Sequence, residues 1–293
     1  MAFAGSRVAV LPSLVLMLAA GVVVPLGIDV ATAPRTPRAA ALLAFSAVAG
    51  VLGWLWPPGS TWAIAFAAVH ALACVVIGVF GGLRLLRLAR APALVRLPEA
   101  VTAFGLLLLP VGGAWLMASR IGMPLLGFQE PVVTFTAAHF HYAGFGAPLV
   151  LGAAGERVLE GAAPGRLYRI AAAAVCAGIP LTALGIATTP AIEKAAAFLL
   201  ATGMLAASVF LLTAARRRAE GVARLLFCVS GATLPVTMAL AATFALGSSA
   251  GRGSTFEGHV SLDTMIAFHG AANAAGFVLA GLLALSLTPP RPR

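Results

Sequence analysis

Long apolar stretches, separated by short loops rich in glycine, proline and arginine, follow one another along the whole chain. A helix needs about 20 mostly apolar residues to cross the hydrocarbon core of a bilayer. Nine stretches come close to that length, so the pattern predicts nine transmembrane helices. Their predicted ranges are 8–30, 39–56, 62–83, 99–118, 132–154, 170–188, 195–214, 225–247 and 264–287.

The composition agrees with this pattern. Hydrophobic residues make up 61% of the chain and charged residues only 10%, whereas soluble globular domains carry about 25% charged residues. We therefore predict an all-α, polytopic transmembrane bundle in which residues 1–293 form a single integral-membrane domain. The three cysteines (Cys74, Cys176 and Cys228) lie in separate apolar stretches, so they predict buried free thiols rather than disulfides or a zinc motif.

The net charge of +10 comes from basic residues in the loops. If the N-terminus lies outside, 15 of the 19 Lys and Arg residues fall on the inner side and 4 on the outer side. This positive-inside asymmetry predicts an external N-terminus and a cytoplasmic C-terminus. Basic loops suit the anionic lipids of the bilayer, and no soluble surface remains to bind nucleic acid.

Four histidines lie within predicted helices: His70, His139, His141 and His269. All three helices that carry them are predicted to run inward from the outer side. At 1.5 Å per residue, the four imidazoles then lie roughly 8–14 Å below the outer interface. Ionisable residues in membrane helices are rare and usually face a site or cavity, so a histidine layer predicts a functional site. The alternative is a set of interhelical hydrogen bonds that only stabilises the bundle.

The string His139-Phe140-His141-Tyr142 is the strongest local signal. Residues two apart on an α-helix point in directions about 200° apart, so the two histidines face opposite sides and serve different neighbours. Tyr142 lies on the side of His139. These four residues resemble the helix of heme–copper oxidase catalytic subunits in which two histidines ligate two different hemes. That resemblance implies a geometry and no activity.

Other polar residues extend this hypothesis. His269 and Asn273 are four residues apart and share a helix face, as do His70 and Cys74. The second pair has metal-ligand spacing, although chance alone explains that spacing more readily. Glu130 and Asp263 precede two of the histidine helices at the outer side. Each acid either influences imidazole protonation and admits protons or cations, or simply favours the start of its helix.

Several strings together resemble the YndJ-like family of bacterial membrane proteins. They are Trp115-Leu116, Arg120-Ile121-Gly122, Leu126-Gly127-Phe128, Glu130-Pro131, His139 to Phe145, Met265, His269-Gly270, Asn273-Ala274 and Gly276-Phe277. The resemblance implies a multipass fold in the inner (plasma) membrane of a bacterial cell and implies no particular biochemical activity.

The leading functional hypothesis is an intramembrane site. It would consist of His70, His139, His141, His269 and Asn273, supported by Tyr142. Such a site would bind a metal ion or heme, or handle protons, in a redox or small-molecule process with a membrane or redox partner. Two alternatives are a transporter of a small solute or ion and a structural protein that binds a partner.

The charge asymmetry makes the topology testable. A reporter fused after Arg293 should be cytoplasmic, and a reporter inserted in the loop Gly251–Gly258 should be external, because the arginines hold their loops on the inner side. Reporter activity and protease accessibility measure both positions, which lie outside the described part of the structure. The reverse location of either reporter would disprove the nine-span topology.

Overall fold

The computed structural model describes residues 7–32, 36–90, 96–247 and 260–288, which hold nine helices and no β-strand. The predicted all-α transmembrane fold is confirmed. The helices are α1 (7–31), α2 (Pro37–Leu52), α3 (Thr61–Leu88), α4 (Leu97–Ile121), α5 (132–159), α6 (Arg166–Thr188), α7 (Pro190–Arg218), α8 (Gly221–Gly247) and α9 (262–286). Each helix overlaps one of the nine predicted apolar stretches.

Seven of these helices are long and apolar enough to cross a membrane, judged over the described residues. The shorter helix α2 has 16 residues and spans about 24 Å at 1.5 Å per residue, less than the roughly 30 Å hydrocarbon core. Helix α5 is also not among the seven. The number of spans and the orientation of the termini therefore stay predictions.

Threonine caps explain where two helices begin. The side chain of Thr36 accepts a hydrogen bond from the Ala39 amide (3.3 Å) at the start of α2, and Thr189 accepts one from the Ile192 amide (3.4 Å) at the start of α7. Proline follows each threonine and suits the first turn, because its missing N–H has no helical partner there.

The chain divides into two compact units. The first comprises Met1–Arg87 and Ala103–Leu149, and the second comprises Leu88–Thr102 and Val150–Arg293. The first unit has a buried core of seven residues: Leu16, Ala67, Trp115, Leu116, Ala118, Val133 and Ala137. This core lies beside the histidines of α3 and α5.

Glycine brings α3 and α4 close together within the first unit. A Cβ atom added to Gly78 would collide with Pro110, and one added to Gly81 would lie 2.6 Å from the Leu107 amide nitrogen. Small residues of this kind let membrane helices approach backbone to backbone. The close approach places the middle of α4 directly against α3.

Three helices contain π-helical turns. They are Ala19–Val23 in α1, Phe140–Gly146 in α5, and Met265–Ala271 with Asn273–Leu279 in α9. Such turns are rare in α-helices and frequently occur at functional sites. The turn in α5 carries His141 and Tyr142, and the Tyr142 hydroxyl donates to the Val15 carbonyl of α1 (2.8 Å).

Candidate metal centre

Two histidines and one cysteine come together in the first unit, where we define the His70–Cys74–His141 cluster. Helix α3 provides His70 and Cys74 from successive turns, and the π-helical turn of α5 provides His141. The Nε2 atoms of the two histidines are 3.3 Å apart, and Cys74 Sγ lies 3.5 Å from His70 Nε2. All three side chains are buried, with at most 1% exposure.

The other ring nitrogens are held by backbone carbonyls. His141 Nδ1 lies 2.8 Å from the Ala137 carbonyl oxygen and donates its hydrogen to it. His70 Nδ1 lies 3.3 Å from the Ser46 carbonyl oxygen and 3.5 Å from the Ser46 hydroxyl. When metal-binding histidines donate one N–H to a carbonyl, the tautomer is fixed and the other nitrogen is free to bind. The contacts of the cluster are compatible with this arrangement.

Two proton arrangements satisfy these distances. If both Nδ1 atoms donate to carbonyls, both Nε2 atoms present lone pairs to each other at 3.3 Å, and only a cation between them relieves the repulsion. In the other arrangement, the Ser46 hydroxyl donates to His70, His70 Nε2–H donates to His141, and His141 donates to Ala137. That chain of hydrogen bonds stabilises the bundle without a metal ion.

The ligand distances match a metal coordination sphere. With zinc-like bonds of about 2.0–2.1 Å to imidazole and 2.3 Å to thiolate, tetrahedral ligands lie about 3.3–3.4 Å (N to N) and 3.6 Å (N to S) apart. The observed separations are 3.3 and 3.5 Å. The three ligand atoms lie within 4.8 Å of one another. The two separations are therefore compatible with two edges of a tetrahedral coordination sphere.

Three glycines make room for the cluster. A Cβ atom on Gly50 would lie 2.8 Å from His70 Nδ1, one on Gly112 would lie 2.8 Å from His141 Nδ1, and one on Gly113 would lie 2.9 Å from Cys74 Cβ. Each glycine thus packs against a different member of the cluster. Any side chain at these positions would push a ligand out of place.

The remaining predicted residues of the first unit lie apart from these contacts. His139 is half-buried and meets the Phe140 ring edge-on, with ring centroids 5.8 Å apart. Tyr142 binds the Val15 carbonyl, as described above. Glu130 accepts a hydrogen bond from the Thr134 amide (3.2 Å) just before α5 begins, the behaviour of an acid that favours a helix start.

His269 has its contacts within the second unit. Its Nδ1 donates to the Thr237 carbonyl of α8 (2.9 Å), and the Asn273 amide nitrogen lies 3.4 Å from the same atom. The Thr237 hydroxyl donates to Asn273 Oδ1 (2.9 Å). The predicted pairing of His269 with Asn273 is therefore present, as part of a network that links α9 to Thr237 of α8. Asp263 lies in the first turn of α9.

Sequence reasoning missed parts of the cluster. From the sequence alone, chance explains the His70–Cys74 spacing more readily than metal binding does, whereas the structure brings His141 to that pair. The sequence also predicts no role for Ser46 or Gly50. The adjacent glycines Gly112 and Gly113 were a usable signal, because two glycines inside an apolar helix indicate close packing against something bulky.

The profile of the YndJ-like protein family matches residues 14–277. The chain belongs to the YndJ-like family. Among curated relatives, the uncharacterized membrane protein YndJ of Bacillus subtilis (strain 168) is 27% identical over 199 residues. That match covers 67% of this chain and 34% of the relative, so it spans about a third of the longer protein. No solved structure matches the chain.

The family assignment confirms the predicted resemblance. This YndJ-like chain is similar to a relative that is itself named as a membrane protein, in agreement with the apolar helices described above. The matched range 14–277 includes His70, Cys74 and His141. The name of the relative specifies no activity.

The close fit of Gly112 against His141 gives a stability prediction. Gly112→Ala should lower the free energy of unfolding by about 1–3 kcal/mol, because its methyl group overpacks the imidazole. Thermal unfolding in detergent measures this change. Gly82→Ala is the matched control, since its Cβ would meet its nearest neighbour, Leu107, at an ordinary 3.5 Å. Equal unfolding temperatures for the two variants would contradict tight packing around His141.

Proposed function

We propose that this protein binds one soft transition-metal ion inside the membrane, through His70, His141 and the thiolate of Cys74, with Cu(I) as the best match. The observation that supports it is the 3.3 Å approach of two imidazole Nε2 atoms whose Nδ1 atoms both lie against carbonyls. The proposed location is a bacterial plasma membrane, as the resemblance to a membrane protein of Bacillus subtilis suggests.

Charge balance favours the monovalent ion. A thiolate and two neutral imidazoles carry one negative charge, so Cu(I) makes the buried centre neutral, whereas Zn²⁺ leaves one positive charge. An unpaired charge in apolar surroundings is costly. Thiolate and imidazole are also the ligand types that suit Cu(I) and zinc rather than magnesium or calcium. Binding releases the proton of Cys74, because the thiolate is the metal ligand.

A heme between the two histidines fits less well than an ion. Metal–imidazole bonds of about 2 Å would place two trans nitrogens about 4 Å apart, with the macrocycle passing between the rings. The observed gap is 3.3 Å. Gly50 and Gly112 press against the outer nitrogens of both rings, so the rings have no space in which to separate.

Proton transfer through the cluster is also less favourable. At one end of the pair, His141 Nδ1 meets the Ala137 carbonyl, and at the other His70 Nδ1 meets both the carbonyl and the hydroxyl of Ser46. An amide carbonyl accepts a hydrogen bond but does not carry a proton onward, so the Ala137 end gives the pair no outlet for relay. A transporter or a structural protein remains the alternative function. The burial of all three ligands favours a resident ion over rapid passage.

Metal titration tests the proposal. Purified protein in detergent should bind one Cu(I) per chain in competition with a chromophoric chelator, and Co²⁺ should give thiolate charge-transfer bands. Cys74→Ser and His141→Gln should each weaken Cu(I) binding at least about 100-fold, since loss even of outer-shell partners costs 10–100-fold. His139→Gln and Cys228→Ser are matched controls that should bind as wild type.

The folded state of each variant is measured separately by its unfolding temperature. Loss of one interhelical hydrogen bond costs roughly 0.6 kcal/mol on average in membrane proteins, so the ligand variants should remain folded. If wild-type protein and Cys74→Ser bind Cu(I), Zn²⁺ and Co²⁺ equally weakly, the cluster is a structural hydrogen-bond chain and the metal proposal fails.

A further inference from the structure

A buried arginine lies at the end of α4, in the first unit. Arg120 is only 4% exposed, and its Nη2 donates to the Trp56 carbonyl at 2.7 Å. The guanidinium stacks over the Trp54 indole, with Cζ 4.4 Å from the ring centroid. Stacking on an aromatic face stabilises the cation but satisfies none of its N–H groups. The buried Nε–H group of Arg120 therefore needs an acceptor.

Two neighbouring donors lack acceptors within the described part of the chain. They are Arg120 Nε and the indole nitrogen of Trp54, both buried and without a hydrogen-bond partner there. Leaving such a group unsatisfied destabilises the folded protein, and more so when the group is charged. Because both atoms only donate, the missing partner is an acceptor. Because one donor is cationic, an anionic acceptor fits best.

The charge of Arg120 is only partly balanced by the protein. Glu130 exerts a favourable coulombic effect on it, yet among the described residues no carboxylate lies within ion-pair distance of Arg120. Glu130 instead accepts a hydrogen bond from Thr134. A buried cation without a direct ionic partner is expensive, so an external anion would stabilise this end of the unit.

Aromatic residues beside Arg120 indicate its depth in the membrane. Trp56, Trp62 and Phe66 pack together with ring centroids 5.3–6.4 Å apart, next to Trp54 in sequence. Tryptophan is enriched at the level of lipid headgroups. In the orientation that the loop charges predict, this is the outer interface, where phospholipid phosphates are the abundant oxyanions. Arginine binds phosphate especially well through its planar donors.

We propose that Arg120 and Trp54 form an oxyanion site that binds a phosphate group, supplied by a phospholipid headgroup of the outer leaflet. The site is independent of the His70–Cys74–His141 cluster, which is a cation site. Free inorganic phosphate has the same binding chemistry and is the other source that the experiment distinguishes.

Trp54→Phe is the sharpest test, because it removes the indole N–H and keeps an aromatic ring beneath the guanidinium. Protein in a phosphate-free maltoside detergent is titrated with phosphatidylglycerol or with inorganic phosphate. Native mass spectrometry counts bound lipid, and the unfolding temperature reports stabilisation. We expect wild-type protein to bind phosphatidylglycerol about tenfold or more tightly than Trp54→Phe, as for a hydrogen bond to a charged group.

Trp62→Phe is the matched control, since Trp62 is an exposed indole of the same aromatic group and should bind lipid as wild type. Arg120→Lys keeps the charge and loses the Nε donor, so it should also weaken lipid binding. A selective loss with phosphatidylglycerol alone supports the headgroup, and an equal loss with inorganic phosphate identifies phosphate itself. If wild type and Trp54→Phe respond identically to both probes, the oxyanion site is disproved.

Discussion

The lack of water in the hydrocarbon core is the constraint on which this structure depends. Each backbone polar group needs a partner within the chain, so the spanning segments are helices. Hydroxyl side chains follow the same rule by donating to carbonyls one turn back, as Thr136 does to Val132 (2.8 Å) and Thr202 to Phe198 (2.8 Å). In such surroundings, two ring nitrogens that face each other and buried donors without acceptors are the places where we propose that an external partner binds.

Much of the fold could be predicted because a membrane helix has a strong local signal. The nine apolar stretches form helices. Some helix ends differ from the predicted ends, because capping residues and basic residues determine where those helices begin and end. Thr189 and Pro190 start α7 five residues before the predicted position 195, and Arg216 to Arg218 extend it beyond 214. Hydropathy alone cannot locate such ends, because cap residues and arginine stems lie outside the apolar window.

The candidate site could be predicted only in part. Helical geometry correctly separated His139 from His141, but it could not decide which of the two meets His70, since that depends on how α5 is rotated against α3. His141 lies in the π-helical turn Phe140–Gly146, and a hydrophobic periodicity does not reveal this departure from α-helical geometry. The approach of Cys74 to both histidines also depends on tertiary packing, because α5 places His141 beside the face of α3 that carries His70 and Cys74.

The polar contacts of α8 in the second unit differ from those of the two candidate sites in the first unit. In the second unit, Ser208 donates to the Gly231 carbonyl and Ser230 to the Phe277 carbonyl, while His269 donates to Thr237, so the protein itself supplies the acceptors. In the first unit, two imidazole nitrogens face each other, and two buried donors near Arg120 lack acceptors among the described residues. Gly113 and Arg120 are seven residues apart on α4, about 10 Å along its axis. One helix therefore borders both the proposed metal site and the proposed oxyanion site.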